Sequence, residues 1–397
     1  MASLTDATLG PALPFDFQPR TRLIFAENCV ERVGELAAEL GSKKLLLVTD
    51  PGIVSAGHAA RVIGLLERQH LKVVCFDKVE ENPSTRCVER CVEVARLLSI
   101  DTIVGLGGGS SMDTAKGCNF ILSNGGQMKD YWGIGKARLP MLPLIAIPTT
   151  GGTGSECQSF ALITDDVTHQ KMACGDPKAA ARIALLDPAL TLSQPPHVTA
   201  CSGIDAIAHA VETAVTRRRT PLSFLFSREA FRLTVTGLPR VLSSPGDLEG
   251  RGWMLLGAAL AGTAIENSML GAAHSAANPL TAHFGTAHGR AVGLMLPHIV
   301  RFNSSEATAA KAYQELALMA GICSSSDSAS TAAEKLAAHL EKLLDLAKLP
   351  RSLKDCGAHN GDLVRLADEA CLQWTAQFNP RPVTSTDFQR LYAQALS

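Results

Sequence analysis

No apolar run in the 397 residues approaches the roughly 18 needed to cross a bilayer as a helix. The best candidate, Trp253 to Ile265, is shorter, dotted with glycine and halted by Glu266. The opening segment, MASLTDATLGPALPFDF, has no basic n-region and no apolar h-region, so no secretory signal is expected. Net charge is nearly absent as well. Thirty-seven Lys and Arg face 38 Asp and Glu, leaving −1. That balance argues against a nucleic-acid partner, which needs a basic face, and against electrostatic docking on an acidic membrane. CxxC pairs are missing too. The 11 cysteines are an odd number at irregular spacings, and they read as buried or free thiols in a reducing cytoplasm. There is no internal repeat, no low-complexity tract and no charged tail.

What remains is ordinary globular text, 46% apolar, long enough for two or three domains at roughly 150 residues each. Short β-branched or Leu-rich runs alternate with helical segments up to about residue 190. The runs are Lys44–Val48, Lys72–Phe76, Thr102–Leu106, Leu144–Ile147 and Ile183–Leu186. Continuous apolar strands alternating with helices predict a parallel sheet covered on both faces. The more polar stretch 156–174 predicts a hairpin turning near Asp165–Asp166. Beyond Pro195–Pro196 the strand signal fades and Ala- and Leu-rich helical text runs to the end. The predicted division is 1–194, an α/β domain, and 195–397, an all-helical domain. Arg217–Arg219 is the one charge run, and it reads as a solvated helix end.

Two glycine-rich turns carry nucleotide-type chemistry. The run Thr102–Leu106 enters GGGSSMDTAKG, Gly107 to Gly117. A strand, a glycine turn and a helix N-terminus present free amides and a positive dipole to phosphate. Ser110 is a candidate helix cap or phosphate donor, and Asp113 and Lys116 fit a surface i,i+3 pair. The text is neither a Rossmann GxGxxG, since Ser110 fills the third glycine position, nor a Walker loop. The second turn, PTTGGTGSE from Pro148, offers three hydroxyls and several amides at a strand C-terminus, where open α/β sheets bind ligands. Asp50 ends the first strong strand. It fits a ribose-binding acid or a simple turn residue.

Metal-type chemistry lies in the helical half. Asp205 and His209 are four apart and share one helix face, as a buried acid–base pair or as metal ligands. The segment from Glu266 to His298 then crowds together His274, His283, His288 and His298. One Asp with three His is an N/O set suited to Fe²⁺, Zn²⁺, Co²⁺ or Ni²⁺. His298 reads as structural.

The ordered set VTD, GGGSSMDTAK, IPTTGGTGSE, GIDAIAHAVE, the His274–His288 segment and NPRPVT resembles the iron-containing alcohol dehydrogenase family (group III) from about Phe15 to Ser397. The resemblance implies an α/β N-terminal parallel-sheet nucleotide-binding domain, an all-α C-terminal metal-binding domain, and an active site in the cleft between them. This is the fold shared with dehydroquinate synthase. It implies Asp205, His209, His274 and His288 as metal ligands, Fe²⁺ as the metal with Zn²⁺ an alternative, and NAD as cofactor. Asp50 matches the acid at the adenosine ribose. Gly107, Gly108, Gly109, Ser110 and Asp113 match the pyrophosphate and nicotinamide contacts. Thr149, Thr150 and Thr153 match the second nucleotide loop, Lys171 a lysine at the nicotinamide-side ribose, and Asn82 a polar contact near the cofactor. Asn278 departs from the pattern. Many members carry there a His assigned to proton transfer, and Asn cannot shuttle a proton at neutral pH. The relay then falls to solvent, to the ribose hydroxyls, or to another group such as His283.

The activity implied is a metal-dependent, NAD(H)-linked alcohol dehydrogenase or aldehyde and ketone reductase, with hydride passing between the alcohol carbon and nicotinamide C4. The expected setting is a cytoplasmic homo-oligomer acting on small alcohols or aldehydes, with no nucleic acid and no membrane. Alternatives are a hydroxyacid–oxoacid transhydrogenase, a maleylacetate reductase-like enzyme and a dehydroquinate synthase-like lyase. The lyase needs a basic cluster for a phosphate near the metal, and Arg and Lys are sparse there. A non-redox metal hydrolase would leave both glycine turns unexplained. Cleft-lining candidates for specificity are Phe160, Trp253, Met269 and Phe284.

Overall fold

In the computed structural model, which describes residues 14–168 and 170–396, all five predicted runs become strands of one parallel sheet. The strands are β1 (Arg22–Phe25), β2 (Lys44–Val48), β3 (Lys72–Phe76), β4 (Thr102–Gly107), β5 (Gly133–Ile134), β6 (Leu144–Pro148), β7 (Phe160–Thr164), β8 (Lys171–Gly175) and β9 (Ile183–Leu186). Six of them form the main sheet, in the order β1-β9-β6-β4-β2-β3. The rest make a small sheet, β5-β8-β7, whose β7–β8 pair is the predicted antiparallel hairpin. The flanking helices are α1 (Val33–Glu39), α2 (Pro51–Ser55), α3 (His58–Glu67), α4 (Thr85–Arg96) and α5 (Gly109–Asn124).

Successive strand residues face opposite sides. Leu45, Leu47, Val104 and Ile147 therefore pack against Leu36, Val62 and Leu66 of α1 and α3. Leu46, Val48, Ile103 and Ala146 pack against Val88, Cys91, Met112 and Phe120 of α4 and α5. Burial on both faces is why these runs are unbroken by polar residues. β1 lacked that signal because it is a four-residue edge strand, mostly exposed, held only by β9.

The chain winds outward from β2 to β3 and then returns to the other side of β2 as β4. The direction of winding thus reverses between β2 and β4, and a crevice opens there at the strand C-termini, the usual ligand position in open α/β sheets. Asp50, Gly107 and Thr149 follow or end three adjacent strands, β2, β4 and β6.

No strand occurs beyond Leu186 among the described residues. Among the described residues nine α-helices follow: α6 (Pro196–Thr213), α7 (Pro221–Ser243), α8 (Leu248–Ser268), α9 (Ala272–Phe284), α10 (His288–Asn303), α11 (Ala307–Met319), α12 (Ala329–Leu346), α13 (Leu363–Leu372) and α14 (Ser385–Leu396). Pro196 starts α6, where a missing N–H costs nothing. The Arg217–Arg219 run follows the end of α6. Arg217 and Arg218 are exposed, and Arg219 donates to the Ala214 carbonyl at 2.9 Å, satisfying an otherwise unpaired helix-end acceptor. All 11 cysteines are free thiols. No described helix is long and apolar enough to cross a membrane.

Candidate functional site

The first glycine turn sits at the crevice. Gly107 has φ 143°, a backbone that side chains rarely adopt, and a Cβ there would strike the Ser111 hydroxyl and approach Asp50. The turn leads directly into α5 with Gly108 as N-cap and no side-chain cap, so its amides stay free. Ser110 does not cap the helix, contrary to one expectation. It lies inside the first turn and its hydroxyl accepts from the Asn82 amide at 3.3 Å. Asn82, itself in a left-handed conformation, accepts from Lys171 Nζ at 3.2 Å. Asp50 accepts from the Ile53 amide at 3.1 Å as the N-cap of α2, and from Ser111 at 3.4 Å. It is thus both a turn residue and a carboxylate at the crevice.

The second turn packs on the first. The Thr149 amide donates to the Gly107 carbonyl at 2.9 Å, and Thr150 and Thr153 abut Gly108 and Gly109. Lys116 is no surface residue. It is fully buried, and its Nζ donates to the Ser155 carbonyl (2.6 Å), the Ser155 hydroxyl (2.8 Å) and the Phe160 carbonyl (3.0 Å). The Ser155 hydroxyl in turn donates to Asp113 at 2.9 Å. One lysine therefore ties α5, the second glycine turn and β7 together. The surface-pair expectation failed because burial depends on what β7 and the second turn place over α5.

Glu156, beside this network, is 1% exposed and its Oε1 has no partner among the described residues. Burial pushes its carboxyl up to about 7, against the pull of its own backbone amide and Lys116. A carboxyl that stays protonated longer in the folded state destabilises the fold as pH rises. Glu156→Gln should therefore match wild type near pH 4.5 and gain stability from there to about pH 7. Above that the gain should level off at about 3 kcal/mol, the equivalent of roughly two and a half pKa units. Urea unfolding of both proteins at pH 5 and pH 8 checks it, and a gain at pH 5 equal to that at pH 8 would refute it.

In the helical half, α6 presents Asp205 and His209 on one face, α9 brings His274, and α10 begins with His288. The His209, His274 and His288 Nε2 atoms lie 3.6, 3.4 and 4.0 Å from one oxygen, Asp205 Oδ1. Ligand atoms around a four-coordinate ion at 2.0–2.2 Å are about 3.4 Å apart, so the set fits such an ion. Asp205, His209 and His274 form the tight, buried part of the cluster, and His288 is the more open member. Close helix contact makes this possible. A Cβ on Gly289 would fall on the Cys201 carbonyl of α6, so the start of α10 can lie against α6 only with glycine there.

Asp205 Oδ1 and His274 Nε2 are buried with no hydrogen-bond partner among the described residues. Such orphans are costly unless something else satisfies them. Burial would raise the Asp205 carboxyl, but His209, His274 and His288 outweigh it and hold it well below the usual range. Burial lowers His209, and burial together with Lys171 takes His288 down to about 3, so both offer neutral nitrogens. His274 goes the other way. Burial opposes its charge, yet Glu212 and Asp205 lift it to about 9. Two buried carboxylates thus make a potential that a divalent cation would neutralise, and the donor set fits one.

Glu212 was missed by the sequence reading. Its Oε2 lies 2.5 Å from His274 Nδ1, and its Oε1 accepts the Ala273 amide at 2.6 Å. The signal was present: Asp205, His209 and Glu212 stand at i, i+4 and i+7, one face of α6. Asn379 of the NPRP segment, also buried, accepts the Ala272 amide at 3.3 Å and fixes the start of α9.

A cleft opens beside His274 and His288, with Lys171 on its nucleotide side. Phe160 and Met269 line it. Trp253 instead lies under Arg240 (4.4 Å), and Phe284 packs on the helical core. Asn278 reaches the cavity, one turn beyond His274, and donates to Gln373 Oε1 at 2.9 Å. His283 does not line the cavity. It pairs with Glu369 at 2.7 Å on the surface, which removes it as a relay candidate.

Comparison with known proteins agrees with this arrangement. Residues 19–188 match the family model described as iron-containing alcohol dehydrogenase, and residues 199–396 match that of the family's C-terminal region. The chain is 32% identical over 373 residues to the NAD-dependent methanol dehydrogenase of Bacillus methanolicus, covering 94% of this chain and 97% of that enzyme. It is 35% identical over 379 residues to a choline dehydrogenase of Bacillus subtilis, covering 93% and 92%. The solved alcohol dehydrogenase from Oenococcus oeni superposes with a TM-score of 0.93 at 30% identity, over 96% of this chain and all of that one. With both halves matched, the chain belongs to the iron-containing alcohol dehydrogenase family.

Proposed function

We propose that this protein is a metal-dependent, NAD(H)-linked alcohol dehydrogenase that also runs in reverse as an aldehyde or ketone reductase. The observation that carries the reading is the convergence of Asp205, His209, His274 and His288 at a cavity that also holds Lys171, which bonds to Asn82 beside the first glycine turn. We take residues 1–194 as the nucleotide domain and 195–397 as the metal domain. When bound, a divalent metal supplies Lewis acidity at the substrate oxygen and NAD(H) accepts or returns a hydride.

The chain's own residues do the positioning. The four ligand side chains hold the cation, Fe²⁺ by family and Zn²⁺ by donor type. The amides of Gly108, Gly109 and Ser110 at the turn that Gly107 opens, with Asp113 and the Thr149, Thr150 and Thr153 loop, hold the pyrophosphate and nicotinamide. Asp50 accepts ribose hydroxyls, and Lys171 with Asn82 meets the nearer ribose. Phe160, Met269 and Trp374 keep water from the reacting carbon. Asn278 orders its neighbours but cannot take a proton. With His283 outside the cavity, the hydroxyl proton leaves to solvent. In balance, an alcohol and NAD⁺ give the carbonyl compound, NADH and one proton.

The test strips the protein of metal, reloads Fe²⁺ or Zn²⁺ separately, and follows NADH and NADPH oxidation with short aldehydes and ketones. Metal-dependent turnover with NADH is expected. Inertness toward every carbonyl despite bound metal and cofactor would shift the reading to the transhydrogenase or the lyase. Asp50→Ser keeps the α2 cap and removes the charge that repels a 2′-phosphate. The kcat/KM preference for NADH over NADPH should fall about tenfold, or about 1.4 kcal/mol. An unchanged preference would remove Asp50 from cofactor choice. A reducing cytoplasmic setting is supported by the 11 free thiols. A homo-oligomer rests on the resemblance, and light scattering tests it.

A further inference from the structure

A second, smaller pocket lies where the second glycine turn meets the N-terminal parts of α6 and α8. It shares no lining residue with the cleft at His274 and His288. Its polar side chains are Thr191, Gln194, Thr199, Ser202 and Arg251. Gly151, Val241 and Met254 complete the wall. The room inside suits about one water-sized particle.

Arg251 is the unusual member. It is 3% exposed, yet no Asp or Glu lines the pocket. The two acids nearest in sequence, Asp247 and Glu249, are held instead by Arg240 at 2.6 and 2.9 Å. Burial pulls the Arg251 guanidinium below its usual range, and no charged neighbour offsets that pull. Its bonds go to neutral acceptors only. Nε donates to the Pro245 carbonyl at 3.0 Å, and Nη1 donates to the Thr199 hydroxyl at 3.0 Å and to Gln194 Oε1 at 3.4 Å. A buried cation without a counter-charge is costly.

The hydrogen-bonding capacity left in the wall is of one kind. The Thr199 hydroxyl accepts from Arg251, and the Ser202 hydroxyl accepts from Gln194 Nε2 at 2.8 Å. Each hydroxyl keeps its own proton. Neither proton, nor Arg251 Nη2, has an acceptor among the described residues. The Thr191 proton already goes to the Pro188 carbonyl at 2.8 Å. Gln194 Oε1, the one side-chain acceptor here that is not also a donor, already faces Arg251. Open donors thus surround a buried positive charge. A water molecule would accept from two of them and leave the charge unmet, whereas an anion meets both needs. A space for one particle shuts out phosphate, sulfate and carboxylates and leaves a monatomic halide.

We infer that this pocket binds one chloride ion, held by the Arg251 guanidinium and the hydroxyls of Thr199 and Ser202. The ion lies against Gly151 of the second glycine turn, against α6, which carries Asp205 and His209, and against the start of α8. It therefore stabilises the junction of the two halves of the chain and takes no part in the redox reaction.

The experiment follows thermal unfolding of the full-length protein in sodium chloride, sodium bromide and sodium gluconate. Equal ionic strength cancels screening, and gluconate is too large for the pocket. Chloride and bromide should raise Tm saturably, by about 2 °C over gluconate at saturation. A general salt effect on burial would instead grow steadily with concentration. Thr199→Val, which keeps the shape and removes one donor, should shrink the saturable part, and Arg251→Gln should abolish it. Crystals grown in bromide and measured at the bromine absorption edge should show one anomalous peak within reach of Arg251. Equal Tm in chloride and gluconate, or a saturable shift unchanged in both variants, overturns the inference. So does the absence of a peak, which would mean that the pocket holds water, and so does a peak without a solution effect, which would mean binding at crystal concentration only. The wild-type melting curves and the diffraction decide even where a variant does not fold.

Discussion

Asp205→Ala should lower kcat by at least about a thousandfold while leaving NADH affinity within a factor of about three. Lewis-acid polarisation is worth several kcal/mol, and about 4 kcal/mol is a factor of about 10³. Asp205 is the hub of the cluster, since all three histidine Nε2 atoms stand 3.4–4.0 Å from its one oxygen. Removing it takes away the only carboxylate among the four proposed ligands. His209 and His288, which burial keeps neutral, would remain as nitrogens without the charge that draws a cation in. The nucleotide turns are built by β2, β4, β6 and α5, and by loops that Lys116 ties together, whereas Asp205 stands on α6. Metal content by mass spectrometry and NADH binding by fluorescence separate the two effects. A folded variant that loses NADH binding, or one that keeps metal and turnover, would count against the assignment.

Glu212→Gln should weaken metal affinity by about 10- to 100-fold, the usual effect of removing the carboxylate behind a ligand histidine. Glu212 pairs with His274 Nδ1, which turns Nε2 toward Asp205, where a bound cation would displace any proton on it. It also anchors the Ala273 amide at the start of α9. Gln keeps one acceptor for the ring or for the amide but carries no charge, so the imidazole becomes a poorer ligand without losing its place. Chelator competition with Co²⁺ or Zn²⁺ reads the affinity directly, and the Co²⁺ visible spectrum reads the geometry. Glu212→Asp, which keeps the charge but shortens the reach, should recover part of the affinity. Equal affinity in wild type and Glu212→Gln would reduce Glu212 to a helix-start acceptor.

Much of the architecture was legible because it follows local rules. The five core strands are continuous apolar runs since both faces of the parallel sheet are buried, and the hairpin near Asp165–Asp166 announces itself by polarity and turn residues. The edge strand β1 was not legible, because an exposed four-residue strand needs no distinctive pattern. Among site residues, the Asp205, His209 and Glu212 face of α6 was written in helical spacing, although only two of the three were read from it. The histidines of α9 and α10 stood out by crowding, but crowding could not separate His274 and His288 from His283. Only the direction in which α9 turns does that: His274 faces α6, while His283 faces Glu369 at the surface.

The sequence by itself determined the layer order, the two glycine turns and the family. Each of these depends on neighbours within one element, where periodicity and residue chemistry act directly. Tertiary structure alone decided that Lys116 is a buried clamp, that Ser110 accepts from Asn82 rather than capping α5, and that Asn278 meets Gln373 across 95 residues of chain. Those partners are brought together by packing between elements distant in sequence. A residue's burial and its free hydrogen-bonding capacity are properties of what arrives opposite it, and the local sequence carries no record of that.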